Sequence, residues 1–249
     1  MHEYKKAHLS TRKGFTLIEL LVVIAIIGIL ATIVITMVDS AHVKAQIAAG
    51  QAFDASTYNA IGDQIVAEWD FDEGSGSIAK DATGNGNIGT IIGGSYTTGM
   101  YNTALSFNGN STYVNVPKNP ALTPASMTVG AWINSNNTAL QQVIVSKAYG
   151  TGGWYLDIEG SKLNLMAANN NNVTGQTTLN SNQWYYVAGS YDGTTLKVYV
   201  NGKLDGTKAV SNSTNDTNLP LYIGQYSGAW FGSYFDGLID EVRIYSKVL

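Results

Sequence analysis

Residues 15–38, FTLIELLVVIAIIGILATIVITMV, carry one charge, Glu19, in an otherwise unbroken apolar run. As a helix rising about 1.5 Å per residue, the run reaches roughly 36 Å, enough to cross a bilayer core. A carboxylate at mid-membrane costs about 2.5–3.5 kcal/mol, and less near the end of a span, so Glu19 needs a partner. The flank from Met1 to Gly14 sets Lys5, Lys6, Arg12 and Lys13 against Glu3 alone, which predicts a cytoplasmic N-terminus. A secretory signal would place a small-residue cleavage site after the run, and Val38-Asp39-Ser40-Ala41 is a poor match for one. The small residue, Gly14, comes before the run instead. Cutting there would retain the apolar segment and free an amino group on Phe15. That cation would lie one helical turn from Glu19, close enough to pair within a chain or with a neighbour.

The string KGFTLIELLVVIAIIGILA, within about residues 12–35, resembles the class III signal of type IV prepilins and type II secretion pseudopilins. The resemblance implies cleavage between Gly14 and Phe15 by a prepilin peptidase, followed by N-methylation of Phe15. It also implies that Glu19 neutralises the amino terminus of an adjacent copy as a helical filament grows. One departure is visible: many members place a helix-kinking proline about one turn before the apolar run ends, where this chain has Thr36. Without the resemblance, the segment would be a plain signal anchor containing a glutamate.

The 249 residues leave room for one domain of about 180 residues beyond the membrane segment, large enough for a full core. There is no cysteine, so an exported domain is not held by disulfides. Only 13% of residues are charged, while 27 Gly, 15 Tyr and many Asn and Thr point to a turn-rich β domain. Losing the leader's four bases and one acid would make the chain, at −4 overall, more acidic by three. That balance argues against nonspecific phosphate binding, so no nucleic-acid partner is expected, and favours solubility or a cation site.

Residues 39–66 read as a helical extension toward the head: Ala, Gln and Lys are frequent, proline is absent, and Val43/Ile47 and Tyr58/Ile61/Ile65 recur at helical spacing. Gly50 and Gly62 are its weak points, where it is expected to end or bend. From residue 67 to 249 the period becomes two. EWDFD, TVGAWIN, WYLDI, KLNLMAA, WYYVAGSY, TLKVYVNG, LYIGQY and DEVRIY read as short strands divided by Gly, Asn and Asp turns. The expected fold is therefore a long N-terminal α-helix followed by an all-β two-sheet jelly-roll sandwich, with the last strand pairing near the first.

The segments EWDFDEGSGSIAKDATGNGNIGTIIGG, ALSFNGNSTYVNVP, NQWYYVAGSYDGTTLKVYVNGK and FDGLIDEVRIYSKVL, in that order, resemble a laminin-G-like domain of the concanavalin A-like class. Such modules bind carbohydrate or protein, mediate adhesion or serve as structural appendages, so the fold alone leaves the ligand open. In the resembled family, the loop after the first strand and the acidic turn before the last strand can meet around calcium. This maps to a structural Ca²⁺ held by Asp81, Asn87 and Asp240. The loop DATGNGN offers the acid, amide and backbone oxygens such an ion takes. The same residues can instead build Asx turns with glycine at positive φ.

Ligand contacts are expected at aromatic residues near turns, namely Tyr149, Trp154, Tyr226, Trp230 and Phe231, beside the polar run Asn169–Asn172. Trp69, Trp132 and Trp184 lie within strand patterns and read as core. Glu68, Asp70 and Asp72 alternate as a catalytic strand would, but on the first strand of the domain and without a cleft, so no catalytic residue is assigned. The three histidines, His2, His8 and His42, lie outside the head, which removes an imidazole-based site from it.

The expected protein is a pilin-like subunit of a type IV pilus-type filament. It is stored as a single-pass protein in the inner membrane, processed by prepilin peptidase, and assembled with copies of itself. Its head faces outward to a surface glycan or protein ligand. A type II secretion pseudopilin in a periplasmic filament and a minor tip adhesin with a carbohydrate-binding head are the alternatives; a membrane-tethered glycosidase would need catalytic acids in a cleft.

Overall fold

The computed structural model describes residues 14–149, 152–167, 169–211, 218–226 and 233–249. They form α1 (Leu17–Ile61), a short 3-10 turn at Gly62–Gln64, and sixteen strands. In order these are β1 (Ile65–Trp69), β2 (Ile78–Ala79), β3 (Gly89–Ile92), β4 (Ser95–Thr98), β5 (Thr103–Asn108), β6 (Tyr113–Val116), β7 (Met127–Ser135) and β8 (Gln142–Tyr149). Then follow β9 (Gly152–Glu159), β10 (Lys162–Ala167), β11 (Asn171–Thr174), β12 (Tyr185–Tyr191), β13 (Thr195–Val200), β14 (Lys203–Ala209), β15 (Leu221–Ile223) and β16 (Asp236–Tyr245).

The chain divides into two compact units, Met1–Ala45 and Gln46–Leu249. In the first, every described side chain from Phe15 to Val38 is exposed, so the helix presents an apolar surface on all sides. Its length and composition are enough to cross a membrane.

The second unit holds two antiparallel sheets. Sheet A runs β14-β13-β12-β7-β16-β5-β4, with β1 paired to β16; sheet B runs β11-β10-β9-β8-β15-β6-β3-β2. As expected, the last strand pairs with the first: Trp69 on β1 stands opposite Val242 on β16. The inward residues of both sheets, including Trp69, Phe107, Val129, Trp154, Leu165 and Ile244, make one continuous core.

A second, smaller core lies on the outer face of sheet A. Trp132, Tyr186 and Ala188 are buried there, with Ile47 and Phe53 of α1 and half-buried Trp184 packed against them. The head-proximal end of α1 is therefore a third layer. Gly50 does not break the helix; its bare Cα lets Trp132 approach, and an added Cβ would come 2.7 Å from the indole Cη2. The helix ends at Ile61, before the expected residue 66, because Ile65 already pairs with Tyr245.

Candidate functional site

At the N-terminal end, Gly14 and Phe15 precede α1, and Thr16-Leu17-Ile18-Glu19 forms a reciprocal capping box. The Thr16 amide and hydroxyl both donate to Glu19 Oε2 at 2.8 Å, and the Glu19 amide donates to Thr16 Oγ1 at 3.3 Å. Glu19 thus has hydrogen-bond partners in its own segment before any cleavage frees an amino terminus. The T-x-x-E spacing carried that signal. The box takes up Oε2 and holds the carboxylate at the start of the helix, where the macrodipole favours negative charge.

The seam between α1 and sheet A is polar as well as aromatic. Arg243 on β16 donates from Nη1 to Asp54 of α1 at 2.6 Å and from Nε to Glu68 of β1 at 2.6 Å, and from Nη2 to Glu241. Its guanidinium also lies 5.5 Å over the Tyr58 ring. Asp54 accepts a further bond from Trp132 Nε1 at 3.2 Å. Burial works against the charge on Arg243, but Asp54 and Glu241 outweigh it and hold the guanidinium pKa above its ordinary value. Burial pushes the Glu241 carboxyl up to about 7 despite Arg243. A cavity of about 490 Å³ opens here, walled by Asp54, Tyr58, Glu68, Tyr101, Glu241 and Arg243.

These contacts also dispose of the acidic alternation at the start of the head. Strand β1 stops at Trp69, and Phe71 takes φ 54°, so Glu68, Asp70 and Asp72 do not share one strand face. Glu68 serves Arg243, while Asp72 accepts from Asn102 Nδ2 at 2.7 Å and from the Thr103 amide at 3.0 Å.

The predicted calcium ligands fall into two separate arrangements. Asp81 Oδ1 accepts from the Glu68 amide and from the amide and hydroxyl of Thr83, and Oδ2 accepts from the amide and Nδ2 of Asn87. Burial opposes that charge, yet the bonds from Thr83, Asn87 and Glu68 together hold the pKa below its ordinary value. Asp240 Oδ2 instead accepts from the amides of Met100 and Tyr101 at 2.9 and 3.0 Å, and shares no hydrogen-bond partner with Asp81 or Asn87. Among the described residues, no group of three His, Cys, Asp or Glu is arranged to hold a metal.

Of the aromatic ligand candidates, Trp154 is corrected. It is fully buried, belongs to the main core, and donates from Nε1 to the Leu122 carbonyl at 3.0 Å. Its strand position pairs it with Lys147 on the inward side, which turn proximity in the sequence disguised. Trp230 and Phe231 lie outside the described residues, as does the side chain of Tyr149 at the end of β8. Tyr226 is half-buried beside Tyr155, with ring centroids 5.5 Å apart and planes at 80°. Those two rings, Gln141, Val143 and Ser233 line a cavity of about 180 Å³ on the outer face of sheet B. Beneath it, Asp157 is fully buried and accepts from Gln141 Nε2 at 2.9 Å and Asn164 Nδ2 at 2.8 Å. Burial pushes its carboxyl up to about 7 against those two bonds. Sequence reasoning missed Asp157, Gln141 and Tyr155; the alternation of WYLDI already set Tyr155 and Asp157 on the face opposite Trp154 and Leu156.

Residues 108–249 match the family model described as the concanavalin A-like lectin/glucanases superfamily. The chain belongs to that superfamily. Residues 9–35 match the prokaryotic N-terminal methylation motif, so a prepilin-type segment and a laminin-G-like head are fused in one polypeptide. The chain is type IV pilin-like at its N-terminus, which implies handling by a prepilin peptidase and anchoring in a membrane before assembly.

Solved structures share the fold of the head. Domain 4 of AbnA, a GH43 extracellular arabinanase from Geobacillus stearothermophilus, in complex with arabinotriose, is 22% identical with TM-score 0.59, covering 75% of this chain and 94% of that one. The binding domain of Paraclostridial Mosquitocidal Protein 1 is 17% identical with TM-score 0.62, covering 75% of this chain and 50% of that one. A putative carbohydrate binding protein from Bacteroides ovatus is 24% identical with TM-score 0.50, covering 59% and 44%. At these identities they speak for the fold alone. The fusion of a methylation motif with a lectin-like domain indicates a structural or binding protein.

Proposed function

We propose that this chain is a structural subunit of a type IV pilus-type surface filament, with its concanavalin A-like head turned outward to meet a partner. The observation that carries this is the combination at residues 14–38: a glycine before the helix, a carboxylate held at its first turn, and an apolar surface exposed on every side. Such a helix needs lipid or other helices around it. Storage in the bilayer and burial in a bundle of copies satisfy that need in succession. Cleavage after Gly14 would leave the Phe15 ammonium next to a Glu19 whose Oε2 is already tied to Thr16. An ammonium from a neighbouring copy meeting that carboxylate would set register, because a mis-registered copy would leave a charge unpaired in a dry core. The tyrosine-lined face of sheet B favours a second version of the same role, a minor subunit at the filament tip whose head binds carbohydrate.

The test is to image sheared filaments from wild-type and Glu19→Ala cells and to sequence the filament protein from its N-terminus. The expected protein begins at N-methylated Phe15, and Glu19→Ala is processed but builds few or no filaments. A filament protein beginning at Met1, or normal filaments without Glu19, would overturn the proposal.

A further inference from the structure

The sequence holds three Asn-Gly pairs: Asn85-Gly86, Asn108-Gly109 and Asn201-Gly202. In such a pair the glycine nitrogen can attack the side-chain amide of the asparagine and close a five-membered ring. Glycine favours the attack because it has no Cβ to shield its nitrogen and its backbone turns freely. The three pairs are alike in sequence, but the fold gives each a different setting.

Two of them are protected. Asn108 Oδ1 accepts from the amides of Asn110, Ser111 and Thr112 at 3.0, 2.9 and 3.1 Å, which fixes its side chain. The nitrogen that would attack it, on Gly109, donates to the Phe235 carbonyl at 2.9 Å. Asn201 is buried at the turn between β13 and β14, and its Oδ1 accepts from the Tyr186 amide at 2.9 Å. Gly202 is crowded as well, since an added Cβ would come 2.8 Å from Phe53 Cβ.

Asn85 has neither kind of protection. It lies with Gly86 in the loop between β2 and β3, and both residues are exposed. Among the described residues nothing donates to Asn85 Oδ1, and the Gly86 amide has no acceptor. An added Cβ at Gly86 would meet nothing within 4 Å, so the space around its nitrogen is open. The Asn85 side chain is held through Nδ2, which donates to the Val66 carbonyl at 3.0 Å and the Ile65 carbonyl at 3.4 Å.

We propose that Asn85 is a site of spontaneous deamidation, with water as the co-reactant. The Gly86 nitrogen gives its proton to solvent base and bonds to Asn85 Cγ. The Cγ–Nδ2 bond breaks and ammonia leaves, giving a cyclic imide. Water then opens the ring: breaking the new bond at Cγ yields aspartate, and breaking the original peptide bond yields isoaspartate, with the chain running through Cγ. Nothing is oxidised or reduced. The product changes the grip of the loop on β1, because a carboxylate only accepts and meets the Val66 and Ile65 carbonyls with no hydrogen to share. Asn87 Nδ2 keeps its own bonds to the Val66 carbonyl at 3.0 Å and to Asp81 at 2.9 Å, so the loop loosens at residue 85 without leaving the strand. This modification is independent of whether the chain builds filaments.

The experiment incubates full-length protein in detergent micelles at mildly alkaline pH and maps its peptides over time by mass spectrometry, with fragmentation that separates aspartate from isoaspartate. A urea-unfolded sample runs alongside. A hydrogen bond that must break before attack slows it about tenfold, or about 1.4 kcal/mol of barrier. In the folded protein Asn85 should therefore convert at least about tenfold faster than Asn108 or Asn201, and in urea that lead should vanish. Asn85→Gln, whose longer side chain disfavours the ring, should stay amidated at that position. Asn85→Asp, the product made directly, should show about threefold faster hydrogen exchange across residues 81–87. The proposal is overturned if Asn85 leads by less than about tenfold in the folded protein, or if the same lead persists in urea. Exchange in Asn85→Asp equal to the wild type's would refute the loosening of the loop.

Discussion

Arg243 ties together three carboxylates that reach it from α1, β1 and its own strand. A guanidinium suits this because its planar fork presents donors in several directions at once, which an ammonium on a flexible stem does not. Removing it would leave Asp54, Glu68 and Glu241 facing one another in a largely buried seam. Breaking a buried pair typically costs about 3–5 kcal/mol, far above the gain of a surface ion pair. Arg243→Ala should therefore lower the urea midpoint of the head strongly. Arg243→Lys should recover only part of the loss, and urea titration of the full chain in micelles followed by tryptophan fluorescence reads both. A midpoint unchanged in Arg243→Ala would show that the seam owes its strength to the aromatic contacts. At this scale the sequence is legible only where neighbours along the chain interact. Gly14, Phe15 and Glu19 stand within six residues of one another, whereas Asp54 and Arg243 stand 189 residues apart and nothing local announces the pair. Trp154 misleads for a related reason: whether an aromatic near a turn is core or surface depends on the sheet it faces.

Elements are easier to see than their contacts. The change from helical spacing to alternation, and turns such as Asn201-Gly202 between β13 and β14, mark helix and strands from sequence alone. Gly50 and Gly62, alike in sequence as weak points of the helix, differ in what they touch. At Gly50 an added Cβ would lie 2.7 Å from Trp132 Cη2 and 3.0 Å from Asn201 Oδ1. Trp132 cannot easily give way, since its Nε1 is bonded to Asp54. Replacing a helical glycine by alanine normally gains about 1 kcal/mol, but overpacking a tight core costs about 1–3 kcal/mol. The clash should win. Gly50→Ala is expected to lower the melting temperature, while Gly62→Ala, whose methyl would rest 3.6 Å from the Tyr58 ring, should leave it unchanged or raise it slightly. Differential scanning calorimetry on the two variants decides it. An upward shift in Gly50→Ala would mean that α1 does not press on sheet A as closely as these distances require.

For the whole molecule, the sandwich is legible because strands such as β13, with Leu196, Val198 and Val200 buried on alternate positions, advertise their inward face, but the third layer is not. Its contacts use residues such as Asp54, Arg243 and Gln183 that read as surface until α1 lies on them. Burial also gives the head an unusual response to acid. Asp157, Asp240 and Glu241 are each raised to about 7 from ordinary values of 3.8, 3.8 and 4.5, with burial the largest cause in all three. A carboxyl whose pKa is higher folded than unfolded binds protons preferentially in the folded state between those two values. Stability from these groups is then fully present below about pH 4 and is lost as pH rises through 7. Asp81 and Asp192 have lowered values and work in the opposite direction, losing their contribution as pH falls below the ordinary aspartate value. The two sets act in different windows, so the head should melt highest near pH 5 and lower at pH 8. If Asp157 holds its proton about tenfold more tightly folded than unfolded, the difference is worth about 1.4 kcal/mol, or about 3–6 °C in a domain of this size. Asp157→Asn keeps the shape of that side chain and removes its titration, so its melting temperature should fall less between pH 5 and pH 8 than the wild type's. Far-UV circular dichroism melts of both proteins at the two pH values check this; a wild-type head that melts higher at pH 8 would mean that these carboxyls reach water more freely than their buried positions imply.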